Sequence, residues 1–292
     1  MKFMVIGATG LAGSALLKSA GKSHEVYGTF LKQNTENLYY LNITNKSDVD
    51  NLINKIKPDI IILTAALTNV DYCEDHHEET WEINVEGTRN IVCASRNINA
   101  KVAFISTDYV FDGKNGPYSE NDKPNPINFY GKTKLEAEKI IEELNDFLIA
   151  RTTAIYGTEK AGKNFVYRVI NCHKSGKTVK VPVDQYGSPI FSDNLGDAIV
   201  KLCENNKKGI YNVAGPECIN RYELALKVVS VFRLNKELIK PVKTSELNQK
   251  APRPLYSGLK IDKIKNETNI KLLPCDEGLN IMKSQLTTNE LC

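Results

Sequence analysis

The chain has 292 residues, which is long enough to bury the core of one large domain, or of one domain and a smaller lobe. Its hydrophobic content of 41% and charged content of 25% are ordinary for a globular protein, and its net charge of +3 is too small to indicate nucleic-acid binding. No apolar run approaches the roughly 20 residues of a membrane span. We therefore expect no nucleic acid and no membrane among its partners.

The cysteines and histidines indicate neither a disulfide framework nor a metal site. The seven cysteines show no C-x-x-C spacing, and the four histidines lack the spacing of metal ligands. An odd number of cysteines is typical of reduced thiols in the cytoplasm. The first predicted strand begins at Lys2, so we expect no signal peptide and a cytoplasmic protein.

Short apolar segments alternate with segments of helical periodicity along most of the chain. The predicted strands are Lys2–Ile6, Glu25–Phe30, Asn37–Leu41, Asp59–Thr64, Lys101–Ser106, Asp146–Arg151 and Gly209–Ala214. The predicted helices are Leu11–Ala20, Ser47–Ile56, His77–Asn97, Tyr130–Leu144 and Ser192–Cys203. This alternation predicts an α/β fold, a Rossmann-type doubly wound parallel sheet of about seven strands.

Two segments depart from this alternation and predict a smaller, discontinuous lobe. The later segment contains a helix at Asn220–Phe232 that opens with a capping-box pattern, a proline-containing stretch, and a final helix near Asp276–Gln285. We predict a dinucleotide-binding domain from residues 1–157 plus 190–215. Residues 158–189 plus 216–292 are then the substrate-binding lobe.

A glycine-rich turn follows the first strand. Gly7 permits a tight turn, Gly10 lets the backbone approach a pyrophosphate, and Gly13 lets the next helix pack against the strand. The N-terminus of that helix would face the phosphates. A plain structural turn is the alternative, but the position between a strand and a helix favours a dinucleotide site.

The end of the second strand bears on the choice of cofactor. An NAD site usually places an acid there, whereas this chain reads Gly28-Thr29-Phe30-Leu31-Lys32. Lys32 could pair with a 2′-phosphate, with an exposed loop lysine as the alternative. We therefore expect NADP(H) in preference to NAD(H).

Tyr130 and Lys134 share one face of a predicted helix. A neighbouring ammonium favours the phenolate and lowers the pKa of a tyrosine. A tyrosine tuned in this way could protonate a carbonyl oxygen as hydride reaches the carbon. At the end of the fifth strand Thr107, or instead Ser106, could donate to that carbonyl, although both pairs of residues also fit purely structural roles.

These features resemble the extended short-chain dehydrogenase/reductases and, within them, the dTDP-4-dehydrorhamnose reductase family. The matching stretches span nearly the whole chain: the Gly7–Gly13 turn, residues 65–71 with Glu74, residues 106–113, 128–134 and 184–189, and Arg253-Pro254 with Ser257 and Leu259. The resemblance implies an enzyme of nucleotide-sugar biosynthesis that uses NADPH to reduce a nucleotide-linked 4-keto-6-deoxysugar. It also leaves room for a homodimer.

The resemblance assigns roles residue by residue. Tyr130 would be the acid, Lys134 would lower its pKa and hold the cofactor ribose, and Thr107 would polarise the carbonyl. Cofactor binding is expected from Gly7, Thr9, Gly10, Leu11, Gly13, Phe30, Lys32, Asn42, Ile43, Ala65, Ala66, Leu67, Tyr130 and Lys134. Substrate binding is expected from Val70, Asp71, Thr107, Asp108, Tyr109, Asn164, Phe165 and Arg253, with the guanidinium of Arg253 on the diphosphate.

The chain also departs from the family. Ala154 stands where members often carry a tryptophan, and Asn42 replaces an acid, so the exact sugar stays open. Two other functions stay open as well. One is a non-catalytic NADP-binding regulatory protein similar to the methionine adenosyltransferase beta subunit, which shares the tyrosine motif. The other is a nucleotide-sugar epimerase.

Overall fold

The structure, a computed structural model, describes residues 1–32, 35–159 and 162–286. The strands are β1 (Lys2–Ile6), β2 (Glu25–Phe30), β3 (Leu38–Tyr40), β4 (Ile60–Leu63), β5 (Lys101–Thr107), β6 (Phe147–Thr152), β7 (Ile155–Tyr156), β8 (Val179–Pro182), β9 (Tyr186–Gly187), β10 (Ile190–Phe191), β11 (Gly209–Asn212), β12 (Ile219–Asn220) and β13 (Ile239–Val242). The helices are α1 (Leu11–Ala20), α2 (Lys46–Ile56), α3 (Val70–Asp75), α4 (His77–Trp81), α5 (Gly87–Asn97), α6 (Phe129–Glu142), α7 (Phe165–Lys174), α8 (Ser192–Glu204), α9 (Arg221–Phe232), α10 (Asp262–Glu267) and α11 (Cys275–Gln285).

Seven strands form the central sheet in the order β11-β6-β5-β4-β1-β2-β3. Every neighbouring pair is parallel, which confirms the predicted doubly wound sheet. The strand order reverses at β1, where Val5 pairs with Gly28 of β2 on one side and with Ile62 of β4 on the other. Open α/β sheets bind ligands beyond the carboxyl ends of the strands at such a reversal.

The two faces of β1 point into two hydrophobic cores. Phe3 and Val5 lie in a core with residues of α1 and α8, whereas Met4 and Ile6 lie in a core with residues of α2, α5 and α6. All four side chains are almost fully buried, as expected for a parallel strand covered by helices on both faces. Burying a side chain of this size contributes about 1.5–3 kcal/mol, so the strand is fixed on both sides.

A third core belongs to the later part of the chain. Val169 of α7, Val181 of β8, Val228 of α9, Ile239 of β13 and Leu279 of α11 pack together in it. This core supports the proposed discontinuous lobe, whose last residues, 287–292, lie outside the described part of the chain. No described helix is both long enough and apolar enough to cross a membrane.

The first and third cores do not follow the proposed domain boundaries residue by residue. Tyr156 and Phe191, assigned to the sheet domain, pack in the third core. Conversely, Leu259 and Ile264, assigned to the lobe, pack in the first core beside the sheet. The division into two units therefore stays a proposal, and side chains of each unit contribute to the core of the other.

The predicted helix at His77–Asn97 has these bounds but contains a π-helical turn, Glu82–Glu86, between α4 and α5. The sequence analysis missed α3, which begins because the Asn69 side chain accepts a hydrogen bond from the backbone of Tyr72. The predicted capping box of α9 is confirmed, with Asn220 as its N-cap.

Candidate active site

A cleft of about 1000 Å³ opens beyond the carboxyl ends of β1, β4 and β5. Every residue predicted to bind the cofactor lines it, as do Val70, Thr107, Asp108 and Tyr109 from the predicted substrate site. The structure therefore brings the glycine turn and the Tyr130-Lys134 pair, more than a hundred residues apart in sequence, to one cavity.

The glycine turn can be built only with glycine at two positions. Gly7 has φ +89°, and a Cβ there would lie 2.8 Å from Thr64 Oγ1. A Cβ on Gly13 would lie 2.1 Å from the carbonyl oxygen of Gly7. Any side chain would push α1 away from β1, and the turn depends on this close approach.

The first turn of α1 fits a pyrophosphate. Gly10 is the N-cap and no side chain caps this helix end, while Leu11 and Gly13 of its first turn line the cleft. Uncapped N–H groups at a helix N-terminus favour an anion. The observed donors therefore match the phosphates of a dinucleotide.

The adenosine end of the cleft is lined by the segments after β2 and β3. Phe30 and the exposed Lys32 lie there without a carboxylate at the end of β2. Asn42 Oδ1 accepts hydrogen bonds from the backbone N (3.1 Å) and hydroxyl (3.0 Å) of Thr44, so it fixes the loop that carries Ile43. These features leave Lys32 as a cation available to a 2′-phosphate.

The Ala65–Leu67 segment after β4 is held in place by the π-helical turn. Asn84 Oδ1 accepts from Leu67 N at 2.7 Å, and its Nδ2 donates to Leu67 O and to Thr133 Oγ1, each at 3.1 Å. Asn84 thus ties this cleft-lining segment to α6.

The geometry of α6 places Tyr130 and Lys134. The side chain of Asn128 accepts from Gly131 N at 2.8 Å, so the helix begins at Phe129 and both residues fall on its cleft face. Lys134 Nζ donates to Ile105 O at 2.7 Å and lies 3.8 Å from the ring centroid of Phe104. The ammonium is therefore anchored to β5, one helical turn from the phenol.

Burial dominates the acid–base properties of this pair. It raises the pKa of Tyr130, and the hydrogen bond with the Thr107 hydroxyl opposes that shift only in part. Burial also lowers the pKa of Lys134 to about 7, against the attraction of Glu138. Burial therefore sets the direction of both shifts, because it removes the charged form of each group from water, and the lowering of the Tyr130 pKa by Lys134 stays a prediction.

The structure distinguishes Thr107 from Ser106. The Ser106 hydroxyl donates to Glu138 Oε1 at 2.5 Å, and Arg151 donates to both oxygens of the same carboxylate, at 3.0 and 2.6 Å. All three side chains are buried. The Thr107 hydroxyl instead donates to Asp108 at 3.2 Å and lowers the pKa of Tyr130, so Thr107 is the hydroxyl that we expect to polarise a carbonyl.

Asp108 lies at the junction of the sheet and the later segment. Its carboxylate accepts from Ser257 at 2.5 Å and from Thr107 at 3.2 Å. Burial raises the pKa of Asp108, while the Ser257 hydrogen bond and the charge of Arg221 oppose the shift. Asp108 therefore orients Thr107 and joins the end of β5 to the segment that carries Ser257.

Four residues of the predicted substrate site do not line the cleft: Asp71, Asn164, Phe165 and Arg253. Arg253 is 9% exposed and forms an ion pair with Asp71 at 2.9 Å. Asn164 caps α7, and the ring of Phe165 lies 5.6 Å from the guanidinium of Arg221. The polar groups of Asp71, Asn164 and Arg253 have partners within the protein, and the substrate contacts expected of the four residues stay a prediction.

Several cleft residues were missed by the sequence analysis. Thr152, Thr153 and Arg221 line the cleft, and the buried hydroxyl of Thr152 has no hydrogen-bond partner within the described ranges. Thr152 pairs with Thr107 across β5 and β6. The available signal was positional, since Thr152 directly follows the predicted strand Asp146–Arg151. For Arg221 the signal was a basic residue at the first position of a helix, which the helix dipole disfavours.

Comparison with known proteins identifies the family. The family described as RmlD substrate binding domain matches residues 1–288. The spore coat polysaccharide biosynthesis protein SpsK of Bacillus subtilis is 35% identical over 263 residues, which cover 88% of each protein. Methionine adenosyltransferase 2 subunit beta of Xenopus tropicalis is 31% identical, over 89% of this chain and 80% of the relative.

Among solved structures, dTDP-4-dehydrorhamnose reductase of Bacillus anthracis is 33% identical with a TM-score of 0.89, and the match covers 98% of this chain and 99% of that one. That structure is a complex with NADP, in agreement with the cofactor expected here. With its parallel seven-stranded sheet and its Tyr130-Lys134 pair, this chain belongs to the RmlD substrate binding domain family, within the extended short-chain dehydrogenase/reductases, and is an NAD(P)-dependent reductase.

Proposed function

We propose that the protein is an NADPH-dependent reductase of a nucleotide-linked 4-keto-6-deoxysugar, in the manner of the dTDP-4-dehydrorhamnose reductases. One observation carries the proposal: Tyr130, Lys134 and Thr107 line the same cleft as the uncapped first turn of α1. A proton donor and a dinucleotide cradle thus share one cavity. A cytoplasmic location is part of the proposal, supported by the free thiols of the described cysteines.

The chain's own groups supply binding and the proton. Gly10 and Leu11 would hold the cofactor pyrophosphate, Lys32 the 2′-phosphate, and Lys134 the ribose. When bound, NADPH supplies the hydride that reaches the carbonyl carbon. Thr107 donates a hydrogen bond to the carbonyl oxygen, and Tyr130 transfers its proton to that oxygen.

The pKa shifts set a condition on the proton transfer. Burial raises the pKa of Tyr130, so the phenol is protonated at neutral pH, and the transfer requires that the phenolate it leaves be stabilised. After the transfer a phenolate remains, and a protonated Lys134 one helical turn away favours it. Glu138 supports the protonated lysine, since its charge raises the pKa of Lys134 against burial.

A second candidate is a non-catalytic NADP-binding regulatory protein. The 31% identity to a methionine adenosyltransferase beta subunit favours it. An assay of NADPH consumption with dTDP-, UDP- and GDP-linked 4-keto-6-deoxysugars separates the two. We expect turnover with at least one of these sugars. Tight NADPH binding without turnover of any of them would support the regulatory alternative.

A further inference from the structure

We propose, on the basis of the function proposed above, that Arg221 binds the diphosphate of the nucleotide-sugar substrate, in place of Arg253. The two arginines differ in whether their guanidinium groups already have partners within the protein. Arg253 is engaged inside the protein, whereas Arg221 lines the cleft.

Arg253 has little capacity left for a ligand. Its Nη2 pairs with Asp71 at 2.9 Å, and its Nη1 donates to Ala251 O at 2.7 Å. The same Asp71 carboxylate also accepts from Ala251 N at 3.1 Å. The Arg253 side chain is 9% exposed, so both ends of its guanidinium fork are used to fix the loop that contains it.

Arg221 has the opposite character. Within the described ranges its guanidinium makes no hydrogen bond or ion pair, and it lies 5.6 Å from the centroid of the Phe165 ring, a cation–π contact. Such a contact uses the charge of the guanidinium and none of its N–H donors. The N–H donors along its edge remain available, and two of them can bind a phosphate in parallel.

Neighbouring groups show where in the cleft Arg221 lies. The charge of Arg221 acts on Asp108 and Tyr109, both of which line the cleft, so the arginine lies near the reacting end of the site. The buried Thr152 hydroxyl in the same cleft lacks a partner among the described residues and can donate to a ligand oxygen. A diphosphate bound here would lie close to a sugar whose carbonyl meets Thr107 and Tyr130.

The local structure holds Arg221 in position. Asn220 and Glu223 form the capping box that starts α9, and Arg221 N donates to Gln185 O at 3.0 Å. Asn164 caps α7 and so places Phe165 at its first position. Phe165 is thus a positioning residue, and this explains why Asn164 and Phe165 accompany the site without lining it.

The position of Arg221 in its helix allows an effect on ligand binding to be distinguished from an effect on protein stability. A positive charge in the first turn of a helix is disfavoured by the helix dipole. Arg221→Gln should therefore leave the thermal midpoint unchanged or slightly raised. A loss of binding in this variant then reports on the ligand contact and not on unfolding.

The experiment is calorimetry with dTDP and with thymidine on the NADP⁺-loaded protein. Arg221→Gln should weaken dTDP binding at least about tenfold, as expected for lost charge-assisted hydrogen bonds, and leave thymidine binding unchanged. Arg221→Lys should recover part of the affinity, because a point charge lacks the fork. Phe165→Leu should weaken dTDP binding less than Arg221→Gln. Arg168→Gln, which removes an exposed charge from α7, is the matched control and should change nothing.

Two results would overturn the assignment while the proposed function stands: unchanged dTDP affinity in Arg221→Gln, or a selective loss in Arg253→Gln instead. An equal loss of dTDP and thymidine affinity in Arg221→Gln would also overturn it, because the effect would not concern phosphate. If the wild-type protein binds none of dTDP, UDP and GDP, the proposed function fails and this assignment fails with it.

Discussion

Tyr130 and Lys134 are buried to a degree that reverses the simple expectation for a tyrosine beside a lysine. Burial raises the pKa of the phenol and lowers that of the ammonium to about 7, so each group is held near its neutral form. A neutral phenol is the form that can donate a proton. The balance between burial and charge at these two residues therefore decides the catalytic behaviour.

Tyr130→Phe tests the proposed acid. The variant keeps the ring and removes the proposed proton donor, so turnover should fall at least about a hundredfold, the scale of general-acid catalysis. NADPH affinity, measured by fluorescence titration, should stay close to that of the wild type. Tyr27→Phe removes a hydroxyl that bonds Glu25 outside the cleft and serves as control. Near-normal turnover in Tyr130→Phe would remove this residue from the mechanism.

Lys134 predicts a pH dependence near neutrality. Its lowered pKa of about 7 means that the cofactor-free protein loses this positive charge as pH rises through that value. The kcat/KM for NADPH, which reports the free enzyme, should therefore decline as pH rises through about 7. In Lys134→Arg any remaining activity should lack this decline, because a guanidinium stays protonated. A wild-type profile that is flat across neutral pH would contradict the assignment.

We expect Lys32 to favour the binding of NADPH over that of NADH. Lys32→Ala should weaken NADPH binding by about 1–3 kcal/mol, the range for a hydrogen bond to a charged group. NADH binding should hardly change, since NADH has no 2′-phosphate. Calorimetry with both cofactors provides the measurement. Equal losses for both, or no loss for either, would show that Lys32 does not contact the phosphate.

At the residue scale, sequence motifs located those groups whose role depends on local spacing. Tyr130 and Lys134 are one helical turn apart, and the Gly7 turn sits between a strand and a helix, so both were predictable. Whether Arg253 and Ser106 are free to bind a ligand could not be predicted from the sequence, because their partners, Asp71 and Glu138, lie far away in sequence. Motifs identify candidates, and long-range pairing decides which of them are free to bind ligand.

At the scale of elements, α6 is joined to β6 by a buried ion pair beneath the catalytic residues. Arg151 and Glu138 are about 2% exposed, and the pair also receives the hydroxyl of Ser106. It fixes the position of α6 along the sheet, and so that of Tyr130 and Lys134. Breaking such a pair leaves an uncompensated buried charge.

Arg151→Met should therefore destabilise the protein by about 3–5 kcal/mol, measured by urea unfolding. The matched control is Arg96→Met, which breaks the exposed pair with Glu143 and should cost less than about 1 kcal/mol. Similar losses in the two variants would show that burial does not set the strength of the Arg151 pair.

The strands of the central sheet could be predicted from the sequence, and the elements outside this sheet could be predicted only in part. Continuous apolar strands such as β1 and β4 have a pattern that tertiary structure does not override. The two-residue strands β7, β9, β10 and β12 carry no such pattern, because they form where distant segments meet. The π-helical turn could not be predicted from the sequence either, since it depends on the hydrogen bonds of Asn84 with Leu67 and Thr133.

At the scale of the whole molecule, the active site depends on contacts between the sheet and the later segment. Ser257 donates to Asp108, and Asn128, the cap of α6, donates to Pro252 O at 2.9 Å. The ion pair of Arg253 with Asp71 lies beside them. The later segment therefore helps to fix the end of the sheet that carries the proposed catalytic residues.

The central claim is that this molecule transfers hydride to the C4 carbonyl of a nucleotide-linked sugar. The most direct measurement uses NADPH deuterated at the transferable position, with magnetic resonance of the sugar product. The account predicts one deuterium at C4 and none elsewhere, and no labelled product from Tyr130→Phe under the same conditions. A product without label at C4, with hydrogen exchanged from solvent at C3 or C5, would contradict the account and indicate an epimerase.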